Sequence, residues 1–157
     1  MALTALVIGT ATAVLGTGRV TVPLIAGTTL IWMWIPLVQL ATGLFFVRGA
    51  RVPTSDALAR YFETGRYWSC WLLLFTAVLL FGPRPFATLD WAAATAIIPV
   101  VLTTRALTRT GCEVFGASDR DARRRALVHQ GITHAILVVY FGWAVALWPR
   151  LAALVRS

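Results

Sequence analysis

Long apolar runs alternate with arginine-bearing segments along this chain. The clearest run, Val20 to Val47, holds 28 residues without a charge, and about 20 apolar residues are enough for a helix to cross a bilayer's hydrocarbon core. Pro23 falls near its start, where a missing N–H costs little, whereas Pro36 falls inside and predicts a kink near Trp32 and Met33. The next run, Tyr67 to Gly82, has 16 residues and is short for a span; Pro83-Arg84-Pro85 breaks it, and Phe86 to Thr104 follows. This order predicts a helical hairpin with Arg84 and Asp90 near the far interface. The last run, Leu127 to Trp148, ends at Pro149-Arg150. Residues 3–17 are apolar but cover only about 22 Å as a helix, before Gly16, Thr17, Gly18 and Arg19 interrupt them. A short fifth span is the favoured reading there, and an interfacial or re-entrant helix the other. The pattern thus predicts an all-α integral membrane protein. Residues 1–157 form one membrane domain, a compact bundle of four or five transmembrane helices with short loops (3–17, 20–47, 67–82, 86–104 and 127–148).

Composition supports that class. Apolar residues make up 59% and charged residues 13%, against about 45–50% and about 25% in soluble domains. So few charges cannot cover the surface of a water-soluble domain of this size. The net charge of +8 raises a nucleic-acid partner, but the basic residues flank apolar runs instead of forming a patch on a polar fold, and no nucleic acid is expected. All fourteen basic residues are arginine, a usage in keeping with a GC-rich bacterial genome. Ten of them lie in two segments: Arg48, Arg51, Arg60 and Arg66 in 48–66, and Arg105, Arg109, Arg120, Arg123, Arg124 and Arg125 in 105–126. Arg19, Arg84, Arg150 and Arg156 fall on the opposite side. Basic loops remain in the cytoplasm, so both segments are expected to be cytoplasmic, in a multi-pass protein of a bacterial inner membrane. No basic residue precedes the N-terminal apolar run, which therefore lacks the form of a cleaved signal. Cys70 and Cys112 stand far apart and suggest neither a disulfide framework nor a zinc site.

Three segments could carry chemistry. Within 48–66, Pro53, Thr54 and Ser55 signal a helix start, with Asp56 in the first turn. Leu58, Tyr61, Phe62 and Gly65 fall on one face, and Asp56, Arg60 and Glu63 on the other. Such a helix would rest on the membrane surface as a connector, or as a docking or lipid-sensing element. In the second segment Ser118 can cap a helix with Asp121 three residues on. Asp119 with Arg123, and Asp121 with Arg125, are spaced to pair. The cluster Arg120, Arg123, Arg124 and Arg125 is the candidate for lipid headgroups, with topological anchoring as its simpler role. Asp121-Ala122-Arg123 resembles part of the Asp-Gly-x-x-Ala-Arg core of CDP-alcohol phosphotransferases. However, no Gly follows Asp121 directly and no aspartate follows it at all, so that family's metal site cannot be built here.

The third segment opens the last span. His129 and Thr133 are four apart, as are Gln130 and His134. Polar groups inside a span are costly and often functional, although at this depth they could also reach water or headgroups. Gln39, near the middle of the first long span, is a candidate cross-helix partner. Such hydrogen bonds average only about 0.6 kcal/mol in bilayers. Two histidines five residues apart on one helix cannot supply both axial ligands of a haem, so a partner subunit would have to supply one. Trp68, Trp71, Trp91 and Trp148 suit an aromatic belt, whereas Trp32 and Trp34 lie deeper. No nucleophile, phosphate-loop or metal motif is present. A catalytic role is therefore not expected, and no cofactor is specified. The leading expectation is a non-catalytic accessory or scaffold subunit of a larger membrane complex, with lipids and other membrane subunits as partners. A small oligomeric transporter or channel-like protein is the second. A redox-complex anchor sharing a quinone, haem or pigment site with a partner is the third.

Overall fold

The computed structural model describes residues 2–83 and 88–156. Six helices account for nearly all of them: α1 (Ala2–Thr17), α2 (Val22–Phe46), α3 (Thr54–Thr64), α4 (Arg66–Phe81), α5 (Leu89–Phe115) and α6 (Asp119–Arg156). Four stretches are long and apolar enough to cross a membrane: Val22–Phe46, Thr54–Phe81, Asp90–Phe115 and Asp119–Ala144. The chain is all-helical and reads as a multi-pass membrane protein.

Helix α1 is shorter than those four. It does not lie apart from the bundle, because it packs along α2 and also touches α4. The approach is close enough that a Cβ on Gly9 would sit 2.7 Å from the Thr29 backbone. Small residues permit such approaches in membranes, where van der Waals packing drives helix association. Two hydrogen bonds reinforce the contact: Thr28 Oγ1 donates to the Gly9 carbonyl (2.8 Å), and Trp32 Nε1–H to Thr12 Oγ1 (3.0 Å).

Helix α2 continues through Pro36. Proline there leaves the Trp32 carbonyl without its in-helix donor. One residue away, the Tyr140 hydroxyl of α6 donates to the Ile31 carbonyl at 3.2 Å, and Trp34 stacks on Tyr140. The two deep tryptophans therefore face α6, with Trp32 against Phe141.

The two arginine-bearing segments are mostly helical, and the helices expected within them extend through most of their length. Segment 48–66 contains α3, whose Ala57, Tyr61 and Thr64 are buried while Asp56, Arg60 and Glu63 face outward. This helix packs against α2 and α5 and passes into α4 through Gly65, which keeps right-handed helical geometry. Segment 105–126 is helical except at 116–118, since α5 runs on to Phe115 and α6 begins at Asp119. Charge marks where the hydrocarbon ends, but arginine is a good helix former and does not end the helix. Gly116 does, in the left-handed region at φ 61°. Ser118 then caps α6: its Oγ accepts the Asp121 N–H (3.2 Å) and donates to the Asp121 carboxylate (2.6 Å). At the far end α6 continues through Pro149 to Arg156, beyond the end of the apolar run. Of the breaker Pro83-Arg84-Pro85, all but Pro83 falls outside the described residues, and Thr88 caps α5 by accepting the Trp91 N–H.

The core sits at the arginine-bearing end, where Phe46, Val47, Ala57, Tyr61, Leu107, Val114 and Ala126 pack together. Gly43 faces the Tyr61 ring with no room for a Cβ. Gly43→Ala is expected to force the ring aside and destabilise the bundle by about 1–3 kcal/mol, the usual cost of overpacking. A fall in the thermal unfolding midpoint in detergent would register it, and an unchanged midpoint would contradict this packing.

Candidate functional site

Five of the structural segments converge on one internal cavity of about 320 Å³. Helix α2 contributes Trp32, Ile35 and Gln39, α3 contributes Tyr61 and Thr64, and α4 contributes Trp68 and Leu72. Thr103 and Leu107 come from α5; His129, Gln130, Thr133, His134, Leu137, Val138 and Phe141 come from α6. Every residue expected to form a polar patch is here: Gln39, His129, Gln130, Thr133 and His134.

The helical period explains how α6 supplies so many. Residues 130, 133, 134, 137 and 141 recur at three- and four-residue steps and so form one stripe facing the bundle interior. The stripe changes character with depth. Near the arginine-bearing end it is His129, Gln130, Thr133 and His134; about two turns further along it is Leu137 and Phe141. The cavity consequently has a polar head and an apolar, aromatic body. Val138, 71% exposed, lies on its lining, so the cavity opens on the outer flank of α6. Towards the arginine-bearing end the Phe46–Tyr61–Leu107 core closes it.

The polar head contains atoms that nothing in the protein satisfies. Gln130, Thr133 and Thr103 are only 8%, 7% and 5% exposed. Yet Gln130 Nε2, Thr133 Oγ1, Thr103 Oγ1 and Gln39 Oε1 have no hydrogen-bond partner, and these are four of the five such buried atoms among the described residues. An unsatisfied buried donor or acceptor costs about 1–3 kcal/mol; all four belong to residues that line the cavity, where the atoms themselves are covered by neighbouring protein. The expected cross-helix pairing of Gln39 with the α6 patch does not form. Gln39 faces the same cavity, but its side-chain oxygen is left over.

The histidines are held differently. His134 Nδ1–H donates to the Gln130 carbonyl at 2.7 Å, which leaves Nε2 as an acceptor in the neutral imidazole. Its ring packs on Trp68, centroids 5.2 Å apart. His129 is inward of the Phe46 ring at 5.0 Å, and its Nε2 lies 3.0 Å from Tyr61 Oη. Tyr61 Oη is also 3.4 Å from Thr42 Oγ1. The Thr42 proton is committed to the Val38 carbonyl (2.8 Å), so Thr42 can only accept from Tyr61. With Nε2 of His129 engaged and both histidines on one helix, the site does not suit a bis-histidine haem.

No arginine, aspartate or glutamate lines this cavity among the described residues. Nor does any group of three or more His, Cys, Asp or Glu side chains gather there to hold a metal ion. The chain matches no family model, no curated protein and no solved structure. The site must be read on its own geometry.

Of the expected headgroup arginines, Arg120 and Arg123 are exposed, with no partner among the described residues. Arg124 and Arg125 line a second, larger hollow between α2 and α6. The expected pairs Asp119–Arg123 and Asp121–Arg125 do not form. Asp121 takes the Ser118 hydroxyl, while Arg125 donates to the Arg48 carbonyl (2.9 Å) and lies over the Phe115 ring at 3.9 Å. An ion pair does join Arg60 to Glu113 at 3.0 Å, half-exposed on both sides, and such pairs add little stability.

Sequence reasoning did not find Thr103, Tyr61 or Trp68 as site residues. Tyr61 could be assigned to the apolar face of its helix, but which helix that face meets was not encoded locally. Thr103 carried no signal beyond being a hydroxyl in an apolar run.

Proposed function

We propose that this protein is a non-catalytic membrane subunit that holds a small, neutral, quinone-like ligand between its helices. The observation that carries the reading is the convergence of the polar side chains Gln39, Thr103, Gln130, Thr133 and His134 on a cavity otherwise lined mainly by apolar and aromatic side chains. A ligand with a flat ring and carbonyl or hydroxyl oxygens complements both parts. Turned into the cavity, the Gln130 amide and the two threonine hydroxyls would donate to its oxygens, and Gln39 Oε1 and His134 Nε2 would accept from a reduced, hydroxylated form. The rings of Trp32, Trp68 and Phe141 offer faces to a planar body. The uncharged lining argues against an ionic ligand, whose burial without a counter-charge would be expensive. The volume is at the lower end of ordinary ligand pockets, about 300–1,000 Å³.

In this reading the arginine-bearing end faces the cytoplasm of a bacterial cell, in keeping with ten arginines against four. The ligand enters from the lipid past Val138. A larger complex is the natural setting, since a held ligand needs a partner to act on it. Transport has less support, because an apolar core separates the cavity from the arginine-bearing end.

The test is a titration of the purified protein with a short-chain benzoquinone, followed by quenching of tryptophan fluorescence. Saturable quenching is expected, and Gln130→Leu should weaken it about tenfold, the cost of one lost buried hydrogen bond. Quenching that never saturates, and that Gln130→Leu leaves unchanged, would remove the reading.

A further inference from the structure

The second hollow lies on the other side of the wall formed by Phe46 and His129, and its chemistry differs from the cavity's. It is a groove of about 550 Å³ between α2 and α6. Its α6 side is a continuous stripe at four-residue steps, Arg124, Val128 and Ile132, with Arg125 beside the first. Its α2 side carries Ala41 and Phe45, again four apart. The stripe runs about 12 Å along α6, from guanidinium to aliphatic side chain. Phe45, Val128 and Ile132 are 66%, 56% and 44% exposed, an apolar surface directly under a pair of cations.

We infer that this groove binds one anionic phospholipid, with its phosphate held by Arg124 and Arg125 and an acyl chain laid along Phe45, Val128 and Ile132. Charge complementarity selects the occupant. Arg124 has no partner among the described residues, while Arg125 is held in place by the Arg48 carbonyl and the Phe115 ring. A guanidinium fixed by a carbonyl and a ring still has N–H groups to offer a phosphate, and arginine's planar fork suits that geometry. The one carboxylate lining the groove, Asp121, is engaged by the Ser118 hydroxyl at 2.6 Å. Two guanidinium groups against one carboxylate leave the groove's mouth positive. A zwitterionic headgroup would bring its own cation to that mouth. A soluble phosphate would leave the apolar wall uncovered. The groove is separate from the cavity, so this assignment does not depend on what the cavity holds.

The experiment uses the full-length protein in nonionic detergent, equilibrated with phosphatidylglycerol or phosphatidylcholine and weighed intact by native mass spectrometry. One phosphatidylglycerol per chain should be retained at concentrations where phosphatidylcholine is lost. Arg124→Gln should weaken retention about fivefold, the usual contribution of one basic residue near an anionic surface. Arg109→Gln, an equal loss of charge outside the groove, should leave it unchanged. Glycerol 3-phosphate, the headgroup without chains, should fail to displace the lipid. Equal retention of phosphatidylcholine, an equal loss in Arg109→Gln, or displacement by glycerol 3-phosphate would each overturn the assignment. The comparison of the two lipids on the unaltered protein stands even if a variant folds poorly.

Discussion

Thr133→Trp should abolish quinone binding, with at least a hundredfold loss of affinity, while the bundle stays folded. Thr133 is buried on the α6 stripe between Gln130 and Leu137 and faces the cavity. An indole there would occupy much of the roughly 320 Å³ and remove one of the free hydroxyls. A hundredfold loss corresponds to about 2.7 kcal/mol, a modest demand when the ligand's body is excluded and its hydrogen bonds go with it. Isothermal titration of the variant against the unaltered protein measures it. Because the side chain fills existing space, the unfolding midpoint should hold steady or rise. Unchanged affinity would mean that the ligand sits elsewhere.

The largest effect on stability is expected at Phe46. Its side chain is 2% exposed and meets Tyr61, Phe115 and His129 at ring separations of 5.8, 6.0 and 5.0 Å. Phe46→Ala should cost about 3–5 kcal/mol, the range for deleting a buried aromatic ring. Phe46→Leu should cost about 1.5 kcal/mol or less, as hydrophobic swaps of similar volume do. Denaturant unfolding in mixed micelles would separate the two. An alanine variant as stable as the leucine one would show that this cluster is not the core. Phe46 lines the groove, and Tyr61, His129 and Leu107 line the cavity, so the alanine change also thins the wall between them. Lipid retention and quinone quenching should both weaken in Phe46→Ala, although it deletes no hydrogen-bonding group from either site.

Hydrophobic patterning made the class of this protein readable because the bilayer constrains it strongly. A backbone in hydrocarbon must satisfy its own hydrogen bonds, so a long charge-free run such as Val20 to Val47 has little alternative to helix. The polar patch was readable for the same reason. His129, Gln130, Thr133 and His134 stand out against the apolar residues around them, and their three- and four-residue spacing assigns them to one face. Hydrophobic patterning stops tracking the helices at 105–126. There the arginines report where hydrocarbon ends, yet α5 and α6 continue through nearly all of it, because polarity and helicity are separate properties. The length of α1 was equally visible, but not that Gly9 lets it lie against Thr29 inside the bundle.

Local sequence therefore determines the helices, the polar turn of α6 and the concentration of arginine at one end. Each follows from the near-neighbour periodicity of a single segment and from the solvent that segment must occupy. Tertiary structure alone decides that Gln39, Thr103 and the α6 patch share one cavity, and that Tyr61 and His129 meet 68 positions apart in the chain. It also decides that Arg124 and Arg125 line a largely apolar groove, and that Asp121 takes the Ser118 hydroxyl instead of pairing with Arg125. These outcomes depend on which helix faces which, and side-chain packing across the bundle sets that choice. No periodicity within one helix records it.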